Sequence, residues 1–300
     1  MRLNGRRTSN NIVDRRGRPS GGGHGGINFG GLPSGVKIGG GGGVIVLIVA
    51  AAIWLFGGDS SLLTGNMAGN MPGQYYEDYT PTAHEQELAT FASQILAGTE
   101  DVWSKKFREM GRQYVPPKMV FFTGAVQSAC GNATAAVGPF YCSADQTIYI
   151  DLSFFDQMEG EMGAGGDFAY AYVIAHEVGH HVQYLLGTLQ DAHSKMARMS
   201  ETEANKLSVR TELQADFYAG VWAHDDNEMF GSLEEGDIEE GLNAASKIGD
   251  DYLQKQARGY VQPETFNHGR SDQRVKWLKR GATTGDVSYG DTFTPSYTNL

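Results

Sequence analysis

Residues 168–186 read FAYAYVIAHEVGHHVQYLL. Apolar side chains fill the stretch, and Gly187 follows as a C-cap, so the segment reads as a buried helix. Inside it, residues 176–180 are HEVGH. His176 and His180 lie one helical turn apart and face the same way, so their imidazoles can share one metal ion. Glu177 sits about 100° round the helix, where it can take a proton from a metal-held water without being a ligand.

A second motif, Glu212-Leu-Gln-Ala-Asp216, follows on another expected helix. A hydrolytic zinc ion takes three protein ligands and keeps one open position. Glu212 is the candidate third ligand for Zn2+. Asp216, one turn further along the same face, can accept a hydrogen bond from the outer nitrogen of His176 and fix that ring. Val173, Ile174, Val178, Leu213, Ala215 and Phe217 would pack the two helices together.

Working outward, Thr82 with Glu85 forms a capping box that opens a helix, or helix pair, running to about Met110. KMVFFT at 118–123 and TIYIDL at 147–152 read as strands. Further helices are expected over 191–222, continuous or in two pieces, over 241–258 and over 272–280; 281–300 is polar and irregular. The fold class is therefore α+β, helix-rich, with a small sheet drawn from 118–152. Cys130 and Cys142 are the chain's two cysteines. A close pair outside the cytoplasm suggests a disulfide. A two-cysteine metal site would need further ligands, and no histidine lies between His84 and His176.

The N-terminal part differs. Residues 1–58 carry seven basic side chains against one acid, Asp14, and 17 of the 41 glycines. The other 242 residues carry 17 basic and 34 acidic side chains. The net charge of -11 argues against nucleic acid as a partner. Residues 38–58 contain no charge, and 44–56 are continuously apolar (VIVLIVAAAIWLF), long enough with the flanking glycines to cross a bilayer. The basic residues precede this run. The positive-inside rule then gives a single-pass protein with a cytoplasmic N-terminus and an exported C-terminal domain. The expected organisation is a disordered Gly/Arg-rich cytoplasmic arm at 1–37, a transmembrane helix at 38–58, a linker at 59–80 and a catalytic domain at 81–300. A cleaved signal peptide is the competing reading, with an unusually long basic leader.

HEVGHHVQ at 176–183, RTELQADFYAGVW at 210–222, GPFYCSADQTIYID at 138–151 and FNHGRSDQRVKWLKRG at 266–281 together resemble the neutral zinc metallopeptidases of bacterial membranes. More distantly, the chain is similar to gluzincins, in which a glutamate supplies the third zinc ligand. The resemblance implies a zincin-like domain and a zinc endopeptidase of the bacterial inner membrane, acting on peptide or protein substrates outside the cytoplasm. It also implies a histidine after the third ligand that aids the oxyanion, and His268 is the candidate. The alternative is an inactive zinc-binding envelope adaptor. Gly290 stands where a cysteine is expected in the family, which suggests a less tethered C-terminal end. The strand at 147–151 could pair with an extended substrate. His181 is expected to be packed or solvated. His84, His193 and His224 are expected at the surface, and the acidic run 234–240 as a solvated helix start.

Overall fold

The computed structural model describes residues 1–18 and 79–300, so the expected transmembrane helix at 38–58 and nearly all of the linker lie outside the described residues. Among the described residues no helix is long and apolar enough to cross a membrane.

The elements are β1 (Ile12–Asp14), α1 (Ala83–Glu109), β2 (Lys118–Phe122), β3 (Ala125–Ser128), β4 (Gly131–Thr134), β5 (Phe140–Cys142), β6 (Thr147–Asp151), α2 (Ser153–Gly160), α3 (Asp167–Leu186), α4 (Thr188–Met196), α5 (Glu201–Phe230), α6 (Asp237–Lys247), α7 (Asp250–Arg258) and α8 (Ser271–Thr284). The helix-rich α+β class holds. Thr82 and Glu85 form the expected capping box on α1, and Gly187 closes α3 in the left-handed conformation.

Four strands form one sheet in the order β1-β2-β6-β5, and β3 and β4 form a separate hairpin. The sheet is buried on both faces. Met119, Phe121, Ile148 and Ile150 face the helices, while Val120, Phe122 and Tyr149 face the hairpin and its residues Val126 and Ala133. Alternation along a strand sends neighbours to opposite faces, so a two-sided sheet needs the near-continuous apolar strands seen here. A disulfide between Cys130 and Cys142 ties the hairpin turn to β5, as the spacing suggested.

Two expectations are corrected. β6 is an inner strand, not an open edge for a substrate over its length: β2 pairs with all of 147–151 on one side, and β5 with 147–149 on the other. β5, the outer strand, is itself buried at Phe140, Tyr141 and Cys142.

The arm at 1–37 is not disordered over its described part. Ile12–Asp14 pair in parallel register with Met119–Phe121 and extend the sheet. Arg6 makes two bonds to Asp226, at 2.8 and 3.2 Å. Arg7 reaches Glu100 at 2.9 Å and Asp101 at 2.6 Å, and Ser9 and Asn11 both donate to Glu100. The domain therefore includes residues 1–18. Basic composition suggested a solvated tail, but these side chains have carboxylates to meet.

Helices α3, α5 and α8 form the centre of the molecule. Gly179, inside the HEVGH motif, lies against the α5 backbone: a Cβ there would come within 2.8 Å of the Ala215 carbonyl oxygen. Gly281 of α8 would bring a Cβ to 2.0 Å from the Phe217 carbonyl oxygen. Such contacts bring the helix axes close, which sets how far the side chains of α3 stand from those of α5. Gly179→Ala is expected to push α3 from α5 at a cost of about 1–3 kcal/mol. It should weaken zinc binding along with lowering Tm, which calorimetry and a zinc titration on the same preparation would show.

Candidate metal centre

His176 and His180 project from α3 toward Glu212 of α5. His176 Nε2 lies 3.2 Å from Glu212 Oε2, and His180 Nε2 lies 3.4 Å from Oε1. One donor atom from each of the three residues falls within 4.8 Å of the others, and all three residues are buried. The pieces that sequence spacing placed on two helices thus meet at one point.

The outer nitrogens explain the orientation of the rings. His176 Nδ1–H donates to Asp216 Oδ1 at 2.8 Å, as the ELQAD spacing suggested. His180 Nδ1–H donates to Gln183 Oε1 at 2.9 Å. The Gln183 amide is locked in that orientation, because its Nε2 donates to the Thr211 carbonyl and to Gln214 Oε1. Both imidazoles therefore turn Nε2 toward the Glu212 carboxylate. With both Nδ1 positions occupied by protons, neutral rings aim lone pairs at an anion, and only a cation or an extra proton relieves that arrangement. Burial opposes charge on His176, yet Asp216 and Glu212 outweigh it and push its pKa up to about 9. His180 Nε2 is buried and without a hydrogen bond. Two nitrogens and one carboxylate, converging with an orphaned nitrogen, fit a zinc ion.

Asp216 is held by groups that spacing alone did not single out. Arg274 of α8 donates from Nε to Oδ2 and from Nη2 to Oδ1, both at 2.9 Å. Tyr172 donates its hydroxyl to Oδ1 at 2.6 Å and accepts from Arg274 Nη2 at 3.2 Å. Arg274 and Asp216 are both fully buried.

Glu177 is buried beside the ligands, and its Oε2 has no hydrogen-bond partner. Burial raises its pKa, against the pull of His180 and His176.

His268 comes to the same side of α5: the neighbouring Gly269 packs on Val209 and Leu213, and the charge of Glu212 reaches the imidazole. Asp250, at the start of α7, accepts from His268 Nδ1–H at 3.0 Å and from three successive backbone N–H groups at 267–269. Burial opposes charge on His268, and Asp250 overcomes it, so the pKa is raised. The raised pKa favours the imidazolium, whose Nε2–H is buried and without a partner.

His181 is packed, as expected. Its Nε2–H donates to the Val115 carbonyl and its Nδ1 accepts from the Tyr141 hydroxyl, and burial lowers its pKa to about 4. His84 is exposed and bonded to Asp156. His193 is only half-buried rather than fully exposed, and burial lowers its pKa. The end beyond α8 is tethered despite Gly290: Gln214 donates to the Gly290 carbonyl, and Arg210 to those of Thr292 and Pro295.

A helix pair carrying HExxH on one member and a glutamate on the other is the donor arrangement of zinc hydrolases with a His-His-Glu ligand set. The model of the family described as "Putative neutral zinc metallopeptidase" matches residues 1–293, and the chain belongs to that family. It is similar to "Uncharacterized protein YpfJ" of Escherichia coli strain K12, 48% identical over 98% of this chain and 99% of that one. It is also similar to "Uncharacterized protein Mb2605" of Mycobacterium bovis, 44% identical over 60% of this chain and 63% of that one. No solved structure matches the chain.

Proposed function

We propose that the protein is a zinc-dependent endopeptidase, with His176, His180 and Glu212 as zinc ligands and Glu177 as general base. One observation carries the reading: a buried carboxylate with an unbonded oxygen stands beside three converging ligand atoms. Zinc bound there supplies Lewis-acid polarisation of a peptide carbonyl and acidifies water.

The chain's own residues divide the remaining work. Glu177 Oε2 accepts the proton of the attacking water and returns it to the leaving amine. Its raised pKa brings the carboxyl nearer the operating pH, where a general base works best. His268, held by Asp250, offers Nε2–H to the carbonyl oxygen as charge develops there. Asp216, clamped by Arg274 and Tyr172, keeps His176 turned to the ligand position.

His268→Ala is expected to lower kcat by about 10²–10³ with little change in KM, since the donor acts on charge present only in the transition state. Steady-state kinetics on a cleaved peptide would show the split.

The site of action is part of the proposal. The disulfide favours an oxidising compartment for the domain. The apolar run at 38–58 favours contact with a membrane.

The inactive adaptor remains the second reading, and intact Glu177 disfavours it, because a scaffold has no chemical need for the base. A mass-spectrometric screen of a broad peptide library separates the two. Cleavage that stops with chelator supports the peptidase. A fully zinc-loaded chain that cleaves nothing is an adaptor.

A further inference from the structure

We propose that the C-terminal segment 286–300 is a positioning element of the metal centre: through Gln214 and Gln183, its Gly290 carbonyl dictates which nitrogen of His180 is left free for the metal. The proposal rests on zinc binding at His176, His180 and Glu212, and stands whether or not the site hydrolyses peptides.

A one-way chain of hydrogen bonds runs from the segment to the ring. A backbone carbonyl can only accept, and each end of a side-chain amide has one role. Gln214 Nε2 donates to the Gly290 carbonyl at 2.9 Å, which turns Gln214 Oε1 the other way. That oxygen accepts from Gln183 Nε2 at 3.1 Å, and the Thr211 carbonyl accepts from the same nitrogen at 2.7 Å. Gln183 Oε1 is then presented to His180 Nδ1, 2.9 Å away. An amide oxygen demands a proton on that nitrogen. In a neutral ring the lone pair then sits on Nε2, which is buried, without a hydrogen bond, and 3.4 Å from Glu212 Oε1. With the Gln183 amide reversed, its NH2 group would take the Nδ1 lone pair, and the proton would move to Nε2 and block the ligand position. His180, Gln183, Gln214 and Gly290 are all buried, which leaves no bulk water to replace a missing partner.

The segment reaches that amide by lying along one face of α5. Lys206 and Arg210 stand over the ring of Tyr297, at 5.9 and 6.0 Å from its centroid. Arg210 donates to the Thr292 and Pro295 carbonyls, and the Thr292 hydroxyl donates to the Arg210 carbonyl at 2.7 Å. Gly290 lies against Phe217, where a Cβ would sit 2.6 Å from the ring. Positions 206, 210, 214 and 217 share one face of a helix. Glu212 and Asp216 stand two positions on from 210 and 214, about 200° round. The segment therefore covers the face of α5 away from the ligands, and Gln214 carries its influence across to α3. Both anchors of the Gln183 amide depend on it: Gln214 directly, and the Thr211 carbonyl through the neighbouring Arg210 carbonyl that Thr292 holds. Leu300, buried in the core, and Lys276, which donates to the Asn299 carbonyl at 2.8 Å, fix the far end.

The two ligand histidines are thus supported unequally. His176 leans on a carboxylate clamped by Arg274, whereas His180 leans on neutral amides that lead out to the segment.

Zinc affinity of the full chain, measured by competition with a chromophoric chelator, tests this with Gln214→Met, Gln183→Met and the double variant. Cobalt(II) is loaded in parallel, and its visible spectrum reports the geometry of the ligands. Gln183→Met is expected to lose about 10–100-fold in affinity, the range for a ligand's supporting partner, and Gln214→Met about tenfold, because the Thr211 carbonyl still holds the Gln183 amide. Since Gln214 acts through Gln183, the double variant should bind no more weakly than Gln183→Met alone. Both single variants should shift the cobalt spectrum. Arg210→Met, which frees the segment from α5 and leaves both glutamines in place, should also weaken zinc binding. Losses that add in the double variant, or wild-type affinity in Gln214→Met or Arg210→Met, overturn the proposal. If Gln214→Met does not fold, Gln214→Asn, too short to span Gln183 and Gly290, is read in the same way. A wild-type chain that takes up no zinc overturns the metal centre and the proposal together, whereas wild-type uptake with unchanged variants overturns the proposal alone.

Discussion

Glu177→Gln is expected to keep its zinc and its fold and to lose peptide hydrolysis by about 10²–10⁴ in kcat, the range ascribed to a positioned general base. That corresponds to roughly 3–5 kcal/mol of transition-state stabilisation. The amide has nearly the same shape as the carboxylate, so the packing around α3 is preserved. Glu177 is not a ligand; the donors converge from His176, His180 and Glu212. The substitution also removes a carboxyl group whose burial disfavours its charge, so Tm should hold or rise slightly. Zinc content, Tm and kcat measured together separate this outcome from misfolding. Unchanged kcat would take Glu177 out of the mechanism, and lost zinc would make it a ligand or a structural support.

The second large effect is expected at Arg274. Arg274→Met removes two hydrogen bonds from a carboxylate that has no access to water. Breaking a buried pair from one side costs about 3–5 kcal/mol, because the remaining charge stays buried. Asp216 then loses the clamp that aims it at His176, so zinc affinity should fall about 10–100-fold, as when a ligand's supporting partner is lost. Arg274→Lys should not rescue, because an ammonium cannot make the forked contact. The double variant Arg274→Met, Asp216→Asn removes the stranded charge. It should recover part of the lost stability but not the zinc affinity, since an amide holds the His176 ring less firmly. Thermal unfolding and a zinc titration on the three variants read the two effects separately. Full recovery of both would mean that Asp216 does not act on the metal through His176.

The ligand set was legible in the sequence because its chemistry is local. HEVGH places two imidazoles on one helical face, and ELQAD places a ligand and its supporting acid one turn apart. Gln183 carried a similar signal, being three residues after His180 on the same face, but a lone glutamine does not stand out among helix-forming residues. Arg274 and Asp250 could not be found this way. Their partners lie 58 and 18 residues away, and nothing in helix periodicity marks a buried arginine or a carboxylate under a turn. The break before α5 was legible in Ser200 and Glu203, where the serine side chain accepts from the glutamate N–H. The break between α6 and α7 falls at Gly249, which packs on Ser271. β1 escaped because three residues are too short for any alternation, and because arginines on both sides read as solvated. The partners of Arg2, Arg6 and Arg7 are carboxylates some 90 to 230 residues further along the chain.

The central claim is that zinc at His176, His180 and Glu212 makes this chain a peptidase. Its most direct test is to strip the full chain with chelator, add zinc back stepwise, and follow cleavage of a mixed peptide library against bound metal. The account predicts that cleavage is absent without metal, rises with bound zinc and saturates at one ion per chain. Cleavage that persists in chelator, or no cleavage at one bound zinc per chain, would contradict it.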